Sequence, residues 1–86
     1  MKFPRTKAYG VSSIKKVAAS FYRMNRLEDG IVLFYLGRIC GWKNTLRNPE
    51  QERPNVLAVD FYGNIFITAG GDEYHGAEEW RIYGPA

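Results

Sequence analysis

The chain has 86 residues, 45% of them hydrophobic and 15% aromatic, and a formal net charge of +3 at pH 7. A chain of this length forms one small domain, and its aromatic content excludes intrinsic disorder. One cysteine excludes an intramolecular disulfide, and the longest apolar run, residues 31–36, is far shorter than the roughly 20 residues of a membrane span. We therefore expect a small basic protein in the cytoplasm, with no membrane contact.

Positive charge is concentrated in the N-terminal part of the sequence. Residues 1–27 contain seven Lys or Arg residues and no acid, whereas residues 28–86 contain five basic and nine acidic residues. Such asymmetry indicates an acidic partner, although a solubilising arm is an equally good explanation. Residues 1–11, with Lys2, Arg5 and Lys7, are predicted to form a basic extended arm.

Residues 13 to 27 have the pattern of an amphipathic helix ending near Gly30. Apolar residues recur at intervals of three and four, namely Ile14, Val17, Ala18, Phe21 and Met24. The opposite side carries Lys15, Lys16, Arg23 and Arg26, with Tyr22 beside them. This face is either a binding surface for an acidic partner or a solvated outer face.

The rest of the chain has the shorter period of β-strands. The segment "IVLFYL" predicts a buried strand, and residues 41–54 predict the longest loop. The segments "NVLAVDF" and "NIFITA" around "YGN" predict a hairpin in which Gly63 or Asn64 has positive φ. A last strand, "EWRIYG", would point Trp80 and Ile82 inward and Arg81 and Tyr83 outward.

These elements predict an α+β fold in which one main amphipathic helix packs on a three- or four-stranded, mostly antiparallel sheet. The predicted core consists of Ile14, Val17, Phe21, Leu33, Val59, Ile65, Ile67, Trp80 and Ile82. Phe66 and Tyr83 are expected on the outward face of the sheet.

The stretch "GGDEY", residues 70–74, resembles the GGDEF signature of diguanylate cyclases. Such a domain is about twice as long as this chain, and no second metal-binding aspartate can be placed upstream. Because Gly70, Gly71 and Gly76 suit a tight turn, we interpret the stretch as a connecting loop. With one histidine and one cysteine, no metal-ligand spacing is present.

The order of one helix followed by antiparallel strands resembles the layout of the ribosome-dependent messenger RNA interferases of toxin–antitoxin systems. That resemblance implies a small ribonuclease using Arg81 and Tyr83, but no motif accompanies it. We therefore expect no catalytic residue, no metal and no cofactor, and treat an interferase-like toxin as the least favoured alternative.

The leading hypothesis is a non-catalytic protein that docks nucleic acid through the basic helix face. Phosphates would contact Lys15, Lys16, Arg23 and Arg26, with help from Lys2, Arg5 and Lys7, and Tyr22 would stack on bases. The alternative is a phage-type inhibitor or adaptor that blocks a host nucleic-acid machine by presenting Asp72, Glu73, Glu78 and Glu79. The oligomeric state is not indicated by the sequence.

Overall fold

The fold is one helix and a five-stranded antiparallel sheet, seen in a computed structural model that describes residues 6–83, with side chains from residue 11 onward. The elements are α1 (Thr6–Met24), β1 (Ile31–Tyr35), β2 (Arg38–Lys43), a short 3₁₀ helix (Pro49–Gln51), β3 (Leu57–Asp60), β4 (Ile65–Ala69) and β5 (Glu79–Ile82). The strand order is β2-β1-β3-β4-β5. The α+β class is confirmed, but the predicted three or four strands are too few.

The strand that the sequence did not reveal is β2, which forms a hairpin with β1. The two-residue turn consists of Leu36 and Gly37, at φ values of 52° and 81°. Positive φ at both positions is typical of a type I′ turn. Leu36 gives no turn signal, and the pairing shifts at Cys40, an exposed bulge residue between Ile39 and Gly41. Residues 41–43 of this strand were therefore assigned to the loop.

Helix α1 begins at Thr6, so residues 6–11, which were predicted to be extended, are helical. Residues 1–5 of the predicted arm lie outside the described part of the chain. The helix ends at Met24 and not near residue 27, and Gly30 lies in the turn before β1. No helix within residues 6–83 has both the length and the apolar character needed to span a bilayer.

The buried line of α1 follows every fourth residue: Ile14, Ala18 and Tyr22. These side chains pack on one face of the sheet, against Val32, Phe34, Leu57, Val59 and Ile65. Val17, predicted to be in the core, is 47% exposed because the contact line centres on Ala18, one residue and 100° further along the helix. Phe21 and Ile67 pack at the margin of this cluster.

The other face of the sheet has its own small core. Ile31, Leu33, Val56 and Ala58 are buried there, and Leu46, Phe66 and Trp80 pack against them. Phe66 is thus on the face away from the helix, as predicted, but Tyr83 packs against the helix-side cluster. Ile82, predicted to be buried, is 80% exposed, because β5 is an edge strand.

Tyr22 joins the helix to the sheet through its hydroxyl group. The hydroxyl oxygen lies 2.8 Å from the carbonyl oxygen of Val59 and 2.9 Å from that of Gly30, so both acceptors share its one proton. Burial, followed by the nearby Asp60 carboxylate, raises the pKa of Tyr22 to about 12. The neutral hydroxyl is therefore the form that the fold requires.

We expect Tyr22→Phe to lower the free energy of unfolding by about 1–3 kcal/mol, because two carbonyl groups lose their donor. A raised folded pKa stabilises the protein fully below the unfolded value of about 10, and this contribution is lost as the pH rises toward 12. Urea titrations between pH 7 and pH 11.5 should show this loss in the wild type and a smaller loss in Tyr22→Phe. Equal stabilities of the two proteins at pH 7 would contradict the assigned hydrogen bonds.

Candidate functional site

The turn between β3 and β4 is organised by the carboxylate of Asp60. Its Oδ1 accepts hydrogen bonds from the backbone N–H groups of Tyr62 (2.9 Å) and Asn64 (2.8 Å), and its Oδ2 accepts one from the Asn64 side chain (2.9 Å). Gly63 has a φ of 89°, as the sequence predicted for Gly63 or Asn64. The turn therefore holds Phe61 and Tyr62 in a fixed position beside the helix.

A groove of about 480 Å³ lies between α1 and this turn, and we call it the helix–turn groove. Its apolar surface comes from Ala19, Tyr22, Leu27 and Phe61, and its charged lining from Arg23, Arg26 and Glu28. Phe61 is 43% exposed and Tyr62 is 83% exposed. The site thus combines accessible aromatic rings with two arginines and one carboxylate.

The four cations predicted on the helix are accessible, but they do not form one row. Lys15, Ala19 and Arg23 follow each other at intervals of four along the helix edge beside the turn. The Lys15 side chain passes about 3.9 Å from the position that a Cβ atom on Gly63 would occupy. Lys16 is exposed on the side of α1 away from the sheet. Arg26 follows the helix and lines the groove.

These four cations differ from most of the other basic side chains. Lys43 forms an ion pair with Glu52, Arg53 with Glu73 (3.1 Å) and Arg81 with Glu79 (2.6 Å). Within residues 11–83, Lys15, Lys16, Arg23 and Arg26 form no ion pair with an acidic side chain. Their charge is available to an external anion.

Arg26 has a backbone conformation that usually belongs to glycine. Leu27 N–H donates to Tyr22 C=O (2.9 Å) and Arg26 N–H donates to Arg23 C=O (3.3 Å), which is the Schellman pattern at a helix C-terminus. In that pattern Arg26 is the left-handed residue, and its φ is 54°. A side chain there costs about 1–2 kcal/mol relative to glycine.

The prediction that Tyr22 stacks on bases was wrong. Tyr22 is only 3% exposed, so it cannot stack on a base. Phe61 and Tyr62 are the accessible aromatic residues beside the cations. The signal for them was the "FYGN" turn next to two strong strands, but Phe61 was included in the strand segment "NVLAVDF". Tyr83 packs on the helix-side core and does not have its predicted outward position, whereas Arg81 is exposed and paired with Glu79.

The side chains of the N-terminal cations lie outside the described part of the chain. Lys2 and Arg5 lie outside the described residues, and Lys7 lies in the helical backbone of α1 but its side chain lies outside the description. Their participation stays a prediction.

The "GGDEYHG" stretch is a loop, as interpreted from its glycines. Asp72 Oδ1 accepts the backbone N–H groups of Tyr74 (2.9 Å) and His75 (2.7 Å), and its carboxylate contacts His75 Nδ1 at 3.1 Å. The His75 backbone bond, followed by the His75 ring, holds the pKa of Asp72 below its usual value. Gly76 is buried, and Ala77 N–H donates to Glu52 C=O (2.8 Å), which docks the loop on residues 50–52.

Two of the four acidic residues of the alternative hypothesis form ion pairs with arginines of the chain itself. Asp72 is bonded to His75, Glu73 pairs with Arg53, and Glu79 pairs with Arg81. A second groove of about 420 Å³ lies here, and its one cation, Arg53, also lies 4.6 Å from the Tyr35 ring centroid. Glu78 is exposed and forms no ion pair within the described range.

Metal ligation was tested on the same part of the chain. Residues 6–83 contain no group of three or more His, Cys, Asp or Glu side chains placed to hold one ion. Cys40 is exposed, and burial of its thiol against the strand, followed by the charge of Glu52, raises its pKa.

Comparison with known proteins finds no matching family model, no matching curated protein and no matching solved structure.

We expect Arg26→Gly to raise the free energy of unfolding by about 1 kcal/mol, because glycine adopts positive φ without steric cost. Urea denaturation at neutral pH measures this change. Arg23→Gly is the matched control, since the same substitution inside the helix should lower stability by about 1 kcal/mol. A loss of stability in Arg26→Gly would show that the side chain stabilises the helix end.

We expect Gly76→Ala to lower the free energy of unfolding by at least about 1–2 kcal/mol. Its φ is 82°, and the new Cβ would collide with the backbone carbonyl of Glu50. Gly41→Ala is the control, because its Cβ would meet only the Leu33 side chain, at an ordinary 3.7 Å. Equal thermal midpoints for Gly76→Ala and wild type would contradict the docked position of the loop.

Proposed function

We propose that the protein binds nucleic acid through the basic side of α1 and the helix–turn groove. The observation that carries this proposal is the set of accessible cations, Lys15, Lys16, Arg23 and Arg26, which have no acidic partner in the described part of the chain. Exposed aromatic rings lie beside them. Cations next to aromatic rings are the usual components of surfaces that contact both phosphates and bases.

The spacing of these cations suits a phosphate backbone. Lys16 and Arg23 are seven residues apart, so they lie about 10.5 Å apart along the helix axis and within about 20° of each other around it. Each strand of a duplex carries one phosphate about every 3.4 Å along the duplex axis, so about 10.5 Å of that axis covers about three phosphate steps. Lys15 and Arg26 extend the positive surface toward the turn and the groove.

A protein-binding inhibitor would instead use the acidic loop. Two of its four carboxylates, Glu73 and Glu79, are already paired with Arg53 and Arg81, which reduces the free negative charge available to a basic partner. Within residues 11–83, the helix cations have no such compensation. We therefore favour the nucleic-acid function over the inhibitor.

Salt dependence of binding tests the function. If the four helix cations contact phosphates, the plot of log K against log salt concentration should have a slope near −2.8 on a single strand, or near −3.6 on a duplex. Arg23→Gln/Arg26→Gln should flatten this slope by about 1.4 units on a single strand and weaken binding to all sequences alike. Fluorescence anisotropy with labelled oligonucleotides measures both quantities.

The control is a double variant with the same loss of charge elsewhere. Arg47 and Arg81 are exposed, bonded to Thr45 and Glu79, and remote from the helix in sequence. Arg47→Gln/Arg81→Gln should keep most of the slope. Absence of binding by the wild type at low salt would refute the proposed function and favour the protein-binding alternative.

A further inference from the structure

We propose that the helix–turn groove is a subsite for an unpaired base of a single-stranded nucleic acid, which stacks on Phe61 while Arg23 and Arg26 contact the adjoining phosphates. This inference rests on the proposed function and deepens it. It names the form of the nucleic acid and the side chain that recognises it.

The Phe61 ring is a platform held from two sides. It makes edge-to-face contacts with Tyr22, at 5.7 Å between ring centroids and 85° between planes, and with Tyr62, at 5.3 Å and 82°. Tyr22 is buried and is fixed by its bonds to Gly30 and Val59. Phe61 nevertheless leaves 43% of its surface exposed. A ring that is already ordered loses little conformational entropy when a base stacks on it.

The groove has room for a base because Ala19 contributes only a methyl group to its wall. Lys15 and Arg23, which precede and follow Ala19 on the same helix edge, have long side chains. The lining of Ala19, Leu27 and the two aromatic rings is apolar, which suits the flat face of a base. In a duplex, each base is paired and stacked between its neighbours, so only an unpaired base can enter.

The charge of the groove fits the backbone that carries the base. Among the side chains that line the groove, Arg23 and Arg26 outnumber the single carboxylate of Glu28, while the carboxylates of Asp29 and Asp60 lie near Tyr22 outside the lining. Lys15 adds another cation on the side of the turn. Guanidinium groups bind phosphate oxygens in a fixed fork, and their planes also stack on bases. The phosphates on either side of a base stacked on Phe61 would therefore lie next to these cations.

The test separates base contacts from phosphate contacts. The probes are a labelled 15-nucleotide thymidine strand, a uridine strand of equal length, an abasic strand with the same number of phosphates, and a 15-base-pair duplex. Stacking of one base on an aromatic side chain is worth roughly 5- to 160-fold in affinity. At one salt concentration, the wild type should bind the thymidine or uridine strand at least about 5-fold more tightly than the abasic strand.

Three variants examine the groove and its surroundings without altering the helix cations. Ala19→Leu fills the groove at an exposed helical position, and Ser13→Leu makes a similar change on an exposed position away from the groove. Ala19→Leu should reduce the preference for base-bearing over abasic strands to nearly one, with an unchanged salt slope and thermal midpoint. Ser13→Leu should keep the preference. Tyr62→Ala, at an 83% exposed residue, should weaken binding only modestly because Phe61 keeps its contact with Tyr22.

The outcomes distinguish this inference from the function on which it rests. Equal affinity for base-bearing and abasic strands, with a steep salt slope, would overturn the base subsite and leave nucleic-acid binding intact. An Ala19→Leu variant that retains the preference would also overturn the subsite. Absence of binding to every probe at low salt would refute both. The thymidine and uridine arms show whether DNA or RNA is the better ligand.

Discussion

The position of Tyr22 between the helix and the sheet is the constraint on which the rest of the structure depends. Its hydroxyl group is shared between Val59 of β3 and Gly30, which precedes β1, so one side chain fixes the end of α1 relative to two central strands. Its ring also supports Phe61. A hydroxyl group whose pKa is raised to about 12 is neutral at physiological pH and provides this link without the desolvation cost of a buried charge. Tyr22 therefore belongs both to the helix-side core and to the lining of the helix–turn groove.

The groove also contains a residue that weakens the helix end. Arg26 occupies the left-handed position of a Schellman motif, where glycine would be more stable. Local strain of this kind is often retained at functional sites and is offset by the surrounding structure. Here the next residue, Leu27, packs at the margin of the helix-side core. Replacement of Arg26 by glycine would remove the steric cost of the positive φ and would also remove a cation from the groove. This is the usual form of a trade-off between stability and activity.

The sequence predicted those elements whose local signals agree with their tertiary surroundings. The β3–β4 hairpin has alternating apolar residues and a glycine at positive φ, and the structure has both. β2 was missed because Leu36 occupies a turn position that usually contains Asn or Gly and because the bulge at Cys40 interrupts the alternation. In α1 the set of apolar residues allowed more than one buried line, and packing against β1 and β3 selected Ala18 over Val17.

For the site, the cations could be found from the sequence but their surroundings could not. Charge counting places Lys15, Lys16, Arg23 and Arg26 on the helix without reference to tertiary structure. The rotation of the helix about its axis determines that Tyr22 is buried. The exposed aromatic residue beside the cations is therefore Phe61, in the β3–β4 turn. The groove requires the β3–β4 turn to lie beside Ala19, which is a contact between segments about forty residues apart. Local patterns contain no information about such a contact.

The charge asymmetry of the sequence persists in the fold because these ion pairs each join two residues of the acidic part of the sequence, residues 28–86. Lys43, Arg53 and Arg81 take their partners, Glu52, Glu73 and Glu79, from the acidic part of the sequence to which they themselves belong. The basic N-terminal part contains no acid with which its cations could pair locally. The sheet and its loops therefore neutralise part of their own charge, whereas Lys15, Lys16 and Arg23 of the helix form no ion pair within residues 11–83. Unpaired like charges on one helix repel each other, so an anion that binds there gains both its own attraction and the relief of that repulsion.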